Sequence, residues 1–419
     1  MSPRTLIRNA RVLTCDGDPH ERPADGDVLL DGDRIAHVSR GRLDLTELSA
    51  SSTRVVDVHG ATVLPGLGDA HTHISWPLDF VFDHNGVAAA PPHRHALDVA
   101  AVVRTFVESG YTLAIGAGVL QPQDDVLARD AIDAGLIPGP RIVPSGLLIT
   151  SPGNLGDGAP TALTAANAKE LREIVARQCD AGVRACKLFI SGDGIVPDFP
   201  SEDVYMDDEM LTAAVEEADR HGAFITVHAR GSVAVAMAAR TGVRIIHHAC
   251  FLDDTALREL EARRDDLWVC PGLHYLYAMV SGHADPWGMT PEKIDASGYR
   301  GELAASIDGL RQLHAAGIRI VAGGDFGHQW THHGTYAAEL QRYVELVGLT
   351  PTEAILSATR HMGPLIGADI GQVRPGYLAD LLVVDGDPTE DITVLQSPER
   401  RRAVLRNGSF AYVNPEVYP

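Results

Sequence analysis

Apolar residues along this chain follow two rhythms. Through the middle, short apolar runs alternate with segments of helical period. The runs are "ATVLPGLGDAHTH", "TLAIGAG", "RIVPSGLLI", "RACKLFI", "AFITVHA", "VRIIHHA", "LWVCPGL" and "IRIVAGGDF". Short apolar runs bounded by turn residues read as buried strands. Among the segments between them, "DDEMLTAAVEEADRHG" opens on aspartates and closes on glycine, the start and stop signals of a helix. "GELAASIDGLRQLHAAG" reads the same way. Eight strand–helix alternations predict an α/β fold with a parallel sheet. A closed (β/α)8 TIM-like barrel is the simplest arrangement. A doubly wound open sheet is the alternative, but its usual GxGxxG after the first strand is absent.

The two ends have a different rhythm. "TLIRNARVLT", "GDVLLDGDRIAHVS" and "TRVVDVHGATVL" mix β-branched residues with Gly and Asp turns, and so do "ADLLVVDGDP" and "RRAVLRNGSFAYV". We expect residues 1–60 and 369–419 to form one small β-sandwich domain around a barrel of residues 61–368. Two insertions, 74–98 and 272–300, follow the first and seventh strands. Long loops after barrel strands build the active-site face. The second insertion is aromatic and carries Gly and Pro, so it reads as a substrate lid or a packed Ω-loop.

Composition narrows the function classes. The chain has 419 residues, 45% hydrophobic and 22% charged, with a formal net charge of −21. That charge disfavours a nucleic-acid or anionic-membrane partner. Five cysteines without CxxC spacing fit a reducing compartment. With no long apolar stretch to span or target a membrane, a cytoplasmic protein is expected.

Candidate chemistry gathers at the strand ends. His71 and His73 stand one residue apart at the end of an apolar strand, so both face one side. Lys187 lies in the apolar run "GVRACKLFISGDG", where an unpaired ammonium is costly. Alternation turns Ala185, Lys187 and Phe189 inward and Cys186, Leu188 and Ile190 toward the helices. His228, His247, His248 and Asp325 end three further strands. Barrel enzymes place their chemistry at such ends, and histidines with a carboxylate match the ligand preferences of Zn²⁺ and similar ions. Of His247 and His248, alternation lets at most one point inward, and physics alone does not choose.

The ordered set "HTH", "KLF", "VHARG", "HHAC" and "GGDFG" resembles the amidohydrolase superfamily of metal-dependent hydrolases. "PGLGDAHTH" and "RPGYLADLLVVDGDP" are similar to that superfamily's framing segments, so the likeness spans nearly the whole chain. It is nearest to the imidazolonepropionase-like, Xaa-Pro dipeptidase and ochratoxinase-like branch. The resemblance implies that His71, His73 and Asp325 bind one divalent metal, most plausibly zinc, and His228 and His248 a second. Lys187 would bridge both as a carbamate formed from carbon dioxide. Burial favours the neutral amine that this reaction needs. The plain alternative is an unmodified Lys187 paired with Asp325 or another buried acid. With His248 the ligand that the resemblance implies, His247 would face the helices as a packing residue.

The implied reaction is cleavage of a C–N bond in a small N-acyl amino acid, dipeptide or aryl amide. A metal-bridging hydroxide would attack, with Asp325 as general base and then acid. Arg230 stands where relatives often carry His or Tyr; it reads as a partner for a substrate carboxylate or, equally, as half of a salt bridge. Asn154 replaces a usual histidine. His333 matches a position near substrate, and His274, Tyr275 and Tyr277 are candidate pocket walls. Two other readings remain: a deaminase, cyclic-amide or carbamate hydrolase on the same fold, and a non-catalytic assembly protein. A homo-oligomer is common among relatives.

Overall fold

The computed structural model describes residues 4–43, 53–78, 92–194 and 199–415. Residues 79–91 of the first insertion lie outside the described residues. Among the described residues, eighteen strands follow in chain order. The first five are β1 (Arg4–Val12), β2 (Ala24–Asp31), β3 (Arg34–Val38), β4 (Thr53–Asp57) and β5 (Thr62–Pro65). β6 (Leu67–Thr72), β7 (Tyr111–Gly116), β8 (Arg141–Val143), β9 (Leu148–Thr150) and β10 (Ala162–Thr164) come next. β11 (Ala185–Phe189), β12 (Phe224–Ala229), β13 (Ile245–His248), β14 (Trp268–Cys270) and β15 (Arg319–Ile320) carry the chain through its middle. β16 (Leu381–Val384), β17 (Arg401–Arg406) and β18 (Ser409–Val413) close it.

The two termini meet in one sheet of order β18-β17-β16-β5-β1-β2-β3, with β4 beside β1. β16 runs antiparallel to β5, and β5 parallel to β1. This unites N- and C-terminal strands as expected, but through a single hydrogen-bonded path rather than two separately bonded sheets. Register shifts interrupt four of its pairings, one of them at the left-handed Asn9. Bulges of this kind bend a sheet. The sheet buries its own apolar cluster, including Ile7, Val28, Leu30, Val63, Leu381 and Leu405.

The middle strands are parallel throughout and form two sheets, β6-β7-β8 and β10-β9-β11-β12-β13-β14-β15. Both edges of the smaller sheet are hydrogen-bonded to the larger one's chain. On one side the Arg184 and Ala185 amides donate to Pro144 O, each at 2.9 Å. On the other, Ala70 N donates to Ala322 O at 2.8 Å and His73 N to Phe326 O at 2.9 Å, and Thr72 bridges Phe326 in parallel.

Three expected elements come out differently. The run 61–73 divides into β5 and β6, which belong to different sheets. Gly66 lies between them, where an added Cβ would stand 2.3 Å from Thr112 Oγ1, so the turn needs glycine. "RIVPSGLLI" divides into β8 and β9. The insertion 272–300 is largely helical, with segments Leu273–Val280, Asp285–Trp287 and Pro291–Ser297. Its Gly and Pro mark helix ends rather than loop: Pro291 opens a helix and Gly298 follows its last residue. Tyr275, Leu276, Met279, Ile294 and Tyr299 of this insertion form an apolar cluster with Cys250 and Trp330.

The outer helices follow their sequence signals. Asp208–Arg220 is capped by Asp207, whose side chain accepts the Met210 amide, with acids in its first turn and Arg220 in its last. No helix among the described residues is long and apolar enough to cross a membrane.

Candidate metal centre

β6 delivers the first two imidazoles. His71 is buried on the strand and His73 follows its last residue, so both rings reach the same interior point. Asp325 meets them there. Its backbone is left-handed, φ 58°, a conformation that aspartate tolerates better than most residues. Its Oδ1 lies 3.3 Å from His71 Nε2 and 3.0 Å from His73 Nε2. Burial alone would raise the Asp325 carboxyl, but His71, His328 and His73 together hold it well below the usual carboxylate range. Burial likewise keeps His71 and His73 neutral, the form that ligates metal.

β11 keeps strict alternation. Lys187 turns inward, 3.4 Å from His71 Nε2 and in contact with His247 Nδ1. Cys186 turns outward, its sulfur 3.8 Å from that of Cys179 on the helix Ala168–Asp180. Among the described residues the Lys187 amine has no ion pair with a carboxylate. Burial pushes its pKa down to about 7, against the pull of Asp325. A large share of Lys187 is therefore the neutral amine near pH 7.

β12 and β13 add three more rings. His228 is buried and stacked on Phe189 at 3.8 Å, and its Nε2 faces Gly192 O at 3.0 Å. Burial, helped by the Arg230 cation, brings its pKa to about 3. His248 stands beside it, ring centroids 4.4 Å apart, and its buried Nδ1 has no hydrogen-bond partner among the described residues.

The expectation that His247 faces the helices is corrected here. Its ring stacks on His71 at 3.9 Å, inside the strands, as well as meeting Lys187. His247 pairs in register with His228 and so shares its inward face, while His248 departs from alternation because it and Ala249 adopt left-handed backbone, φ 74° and 50°. The rule that neighbours face opposite ways holds only for extended residues, and two consecutive left-handed ones let both imidazoles point inward.

The donor set fits divalent ions. His71, His73 and Asp325 offer ligand atoms all within 4.8 Å of one another, and His248 brings an orphaned ring nitrogen. Neutral imidazoles with an ionised carboxylate are the ligands zinc takes. A second trio, His71, His247 and Cys270, satisfies the same distance. It fails on direction: rings stacked 3.9 Å apart and tilted by only 13° keep their in-plane lone pairs in separate, nearly parallel planes that do not meet at one ion.

The candidate substrate residues are dispersed. Arg230 is wholly buried, with Nη2 3.1 Å from Asp193 and Nη1 against Glu302. Tyr299 donates to Asp193 at 3.0 Å and Ser201 to Glu302 at 3.0 Å. The salt bridge weighed as Arg230's alternative role is thus present, with two acids against one cation. Asn154 spends its amide on the chain, donating to Phe189 O and accepting Leu155 N. His333 pairs Nδ1 with Tyr336 OH at 3.0 Å. A Cβ at Gly327 would come within 3.3 Å of His333 Nε2 and 3.0 Å of His73 Cβ, so His333 lies beside the His73 end of the centre. His274 stacks between Phe326 and Tyr277. Tyr277 lies under the Arg342 guanidinium, 4.1 Å from its ring centre.

Sequence reasoning passed over several residues. His328 lies 3.6 Å from Asp325 Oδ1, and an aromatic group surrounds it: Trp76 stacked on His73, then Tyr275 and Trp330. Its spacing of three after Asp325 was the available signal. Glu339 accepts the amides of Leu273 and His274 and so pins the start of helix Leu273–Val280. Burial pushes its pKa up to about 7. Nothing in "TYAAEL" marks it as buried.

Comparison with known proteins follows the same outline. A family model described as Amidohydrolase family matches residues 62–410. Ochratoxinase of Aspergillus niger is 25% identical, covering 99% of this chain and 88% of that protein. Imidazolonepropionase of Anaeromyxobacter sp. strain K is 25% identical over 98% of this chain and 97% of that protein. A crystal structure of a Xaa-Pro dipeptidase with methionine bound in its active site superposes with a TM-score of 0.85 at 23% identity. It covers 98% of this chain and 100% of that one, a likeness of fold.

Proposed function

This chain belongs to the amidohydrolase family, and on that premise we propose a binuclear metal-dependent hydrolase that cleaves the amide bond of a small molecule. Its family and relatives make it a hydrolase of C–N bonds. The convergence of His71 and His73 on Asp325 is the observation that carries the finer reading. The hydrogen bonds at both edges of β6-β7-β8 support one closed (β/α)8 barrel of residues 61–368. The bent terminal sheet and its separate apolar cluster support a small domain from residues 1–60 and 369–419.

His71, His73 and Asp325 would hold one ion and His228 and His248 the other, zinc being the best match to these donors. Lys187, as its carbamate, would bridge them. When bound, such ions supply Lewis acidity and bring the pKa of a water toward neutrality. Asp325, kept ionised by its imidazole neighbours, accepts the proton of the attacking water. A carboxylic acid of such low pKa gives that proton up readily, and the leaving nitrogen needs it. Neutral Lys187 attacks carbon dioxide through its free electron pair.

Trp76, His328, Tyr275 and Trp330 beside His73 favour a substrate with an aryl or bulky apolar group. Aryl amides and N-acyl amino acids head the list, with dipeptides next. The test is metal content and turnover of zinc-loaded protein over a panel of these amides, with Lys187→Ala beside it. About two ions per chain, lost together with turnover in the variant, support the proposal. Full turnover with one ion would overturn the binuclear reading.

A further inference from the structure

We propose that His247 is a positioning residue for Lys187: its Nδ1 accepts a hydrogen bond from Nζ and fixes the plane of the carbamate. This rests on the reading of Lys187 as carboxylated. The inference comes from the geometry of β13. His247 is fully buried among the strands, and its ring is held by stacking on His71 at 3.9 Å. One ring nitrogen has a partner, and that partner is Lys187 Nζ; Nε2 has none among the described residues. The imidazole's polar commitment is thus to the lysine.

The chemistry of carboxylation gives that contact a purpose. The neutral amine's electron pair forms a bond to the carbon of CO2, one C=O pair moves onto oxygen, and one N–H proton passes to solvent buffer. The product, –NH–CO2⁻, keeps a single N–H and is planar like an amide. The direction of that N–H therefore sets the orientation of both carboxylate oxygens. An acceptor held rigidly at Nδ1 leaves the group one plane, and among the described residues no other acceptor is in contact with Nζ save His71 Nε2 at 3.4 Å, which Asp325 also approaches. Strand register makes the contact: His247 is paired with His228 on the strand between it and β11, so it shares the inward face of Lys187.

The experiment equilibrates zinc-loaded protein with ¹³C-bicarbonate. It follows the carbamate carbon by NMR as bicarbonate is titrated, in wild type, His247→Ala, His247→Asn and His247→Gln. In the Ala variant, half occupancy should need roughly fivefold more bicarbonate, the ratio one ordinary hydrogen bond sets. Asn carries an amide oxygen near the place of Nδ1 and should restore occupancy, whereas Gln reaches toward Nε2 and should not. No carbamate signal in wild type would overturn the carboxylated reading of Lys187 itself. A wild-type signal with unchanged occupancy in His247→Ala would overturn the role of His247 alone. If the Ala variant does not fold, equal titrations of the Asn and Gln variants would overturn it instead.

Discussion

β12 and β13 lie side by side, each carries histidine at its last or next-to-last residue, and their register pairs Ala229 with His248. They reach the centre by different means. β12 stays extended, so His228 faces inward by simple alternation. β13 turns left-handed at its last residue, so His248 faces inward beside His247, which shares the face of His228 by register. The charge around them differs as well. Beyond His228 the chain places Arg230, which is locked between Asp193 and Glu302. Beyond His248 it places small Ala249 and Cys250. Local pattern thus decides which way a side chain points only where the backbone stays regular, and functional strand ends are where it departs.

Four experiments would break or sharpen this contrast. The largest effect should come from His228→Ala and His248→Ala. If both serve one ion, each loses that ion and turnover by about a thousandfold or more, measured by metal analysis and initial rates. A variant that keeps full metal and rate would remove its strand from the centre. Next is Arg230→Ala. Stranding two buried carboxylates should cost about 3–5 kcal/mol in denaturant unfolding. A change below about 1 kcal/mol, with weaker binding of carboxylate substrates only, would restore Arg230 to the substrate site.

Acid should then separate the chelator-stripped protein from its metal-loaded form. His228 has a folded pKa of about 3, against about 6.5 when unfolded. Between those values the unfolded chain binds the extra proton. Stability is therefore fully present above about pH 6.5 and falls as pH drops toward 3, by about 1.4 kcal/mol per unit for one such histidine. His247 and His248 shift in the same direction, so β13 adds to the slope. Stability flat over that range would mean that these rings are protonated or exposed. The smallest effect is one of sign. Ala249→Gly should stabilise by about 0.5 kcal/mol by relieving left-handed strain, while Ala229→Gly should destabilise by about 1 kcal/mol in an extended strand. Equal signs in thermal unfolding would contradict the difference in backbone.

Much of the molecule was legible beforehand. The parallel middle, the joining of both termini and the inward Lys187 all follow from apolar period and turn chemistry. His71, His73 and Asp325 were legible as polar residues at the ends of buried strands. The insertion 272–300 is largely helical rather than loop because its Gly and Pro serve helix ends as well as loops. Glu339 went unseen because its partners, the Leu273 and His274 amides, approach only through the fold.

The sequence by itself determined the strand–helix alternation, the family pattern and which residue types stand at the strand ends, since these depend on local period and side-chain chemistry. Tertiary structure decided that His247 joins the centre, that Arg230 is held by Asp193 and Glu302, and that aromatic residues from distant segments gather beside His73. Those outcomes depend on backbone angles and on partners tens of residues away, and side-chain alternation carries no record of either.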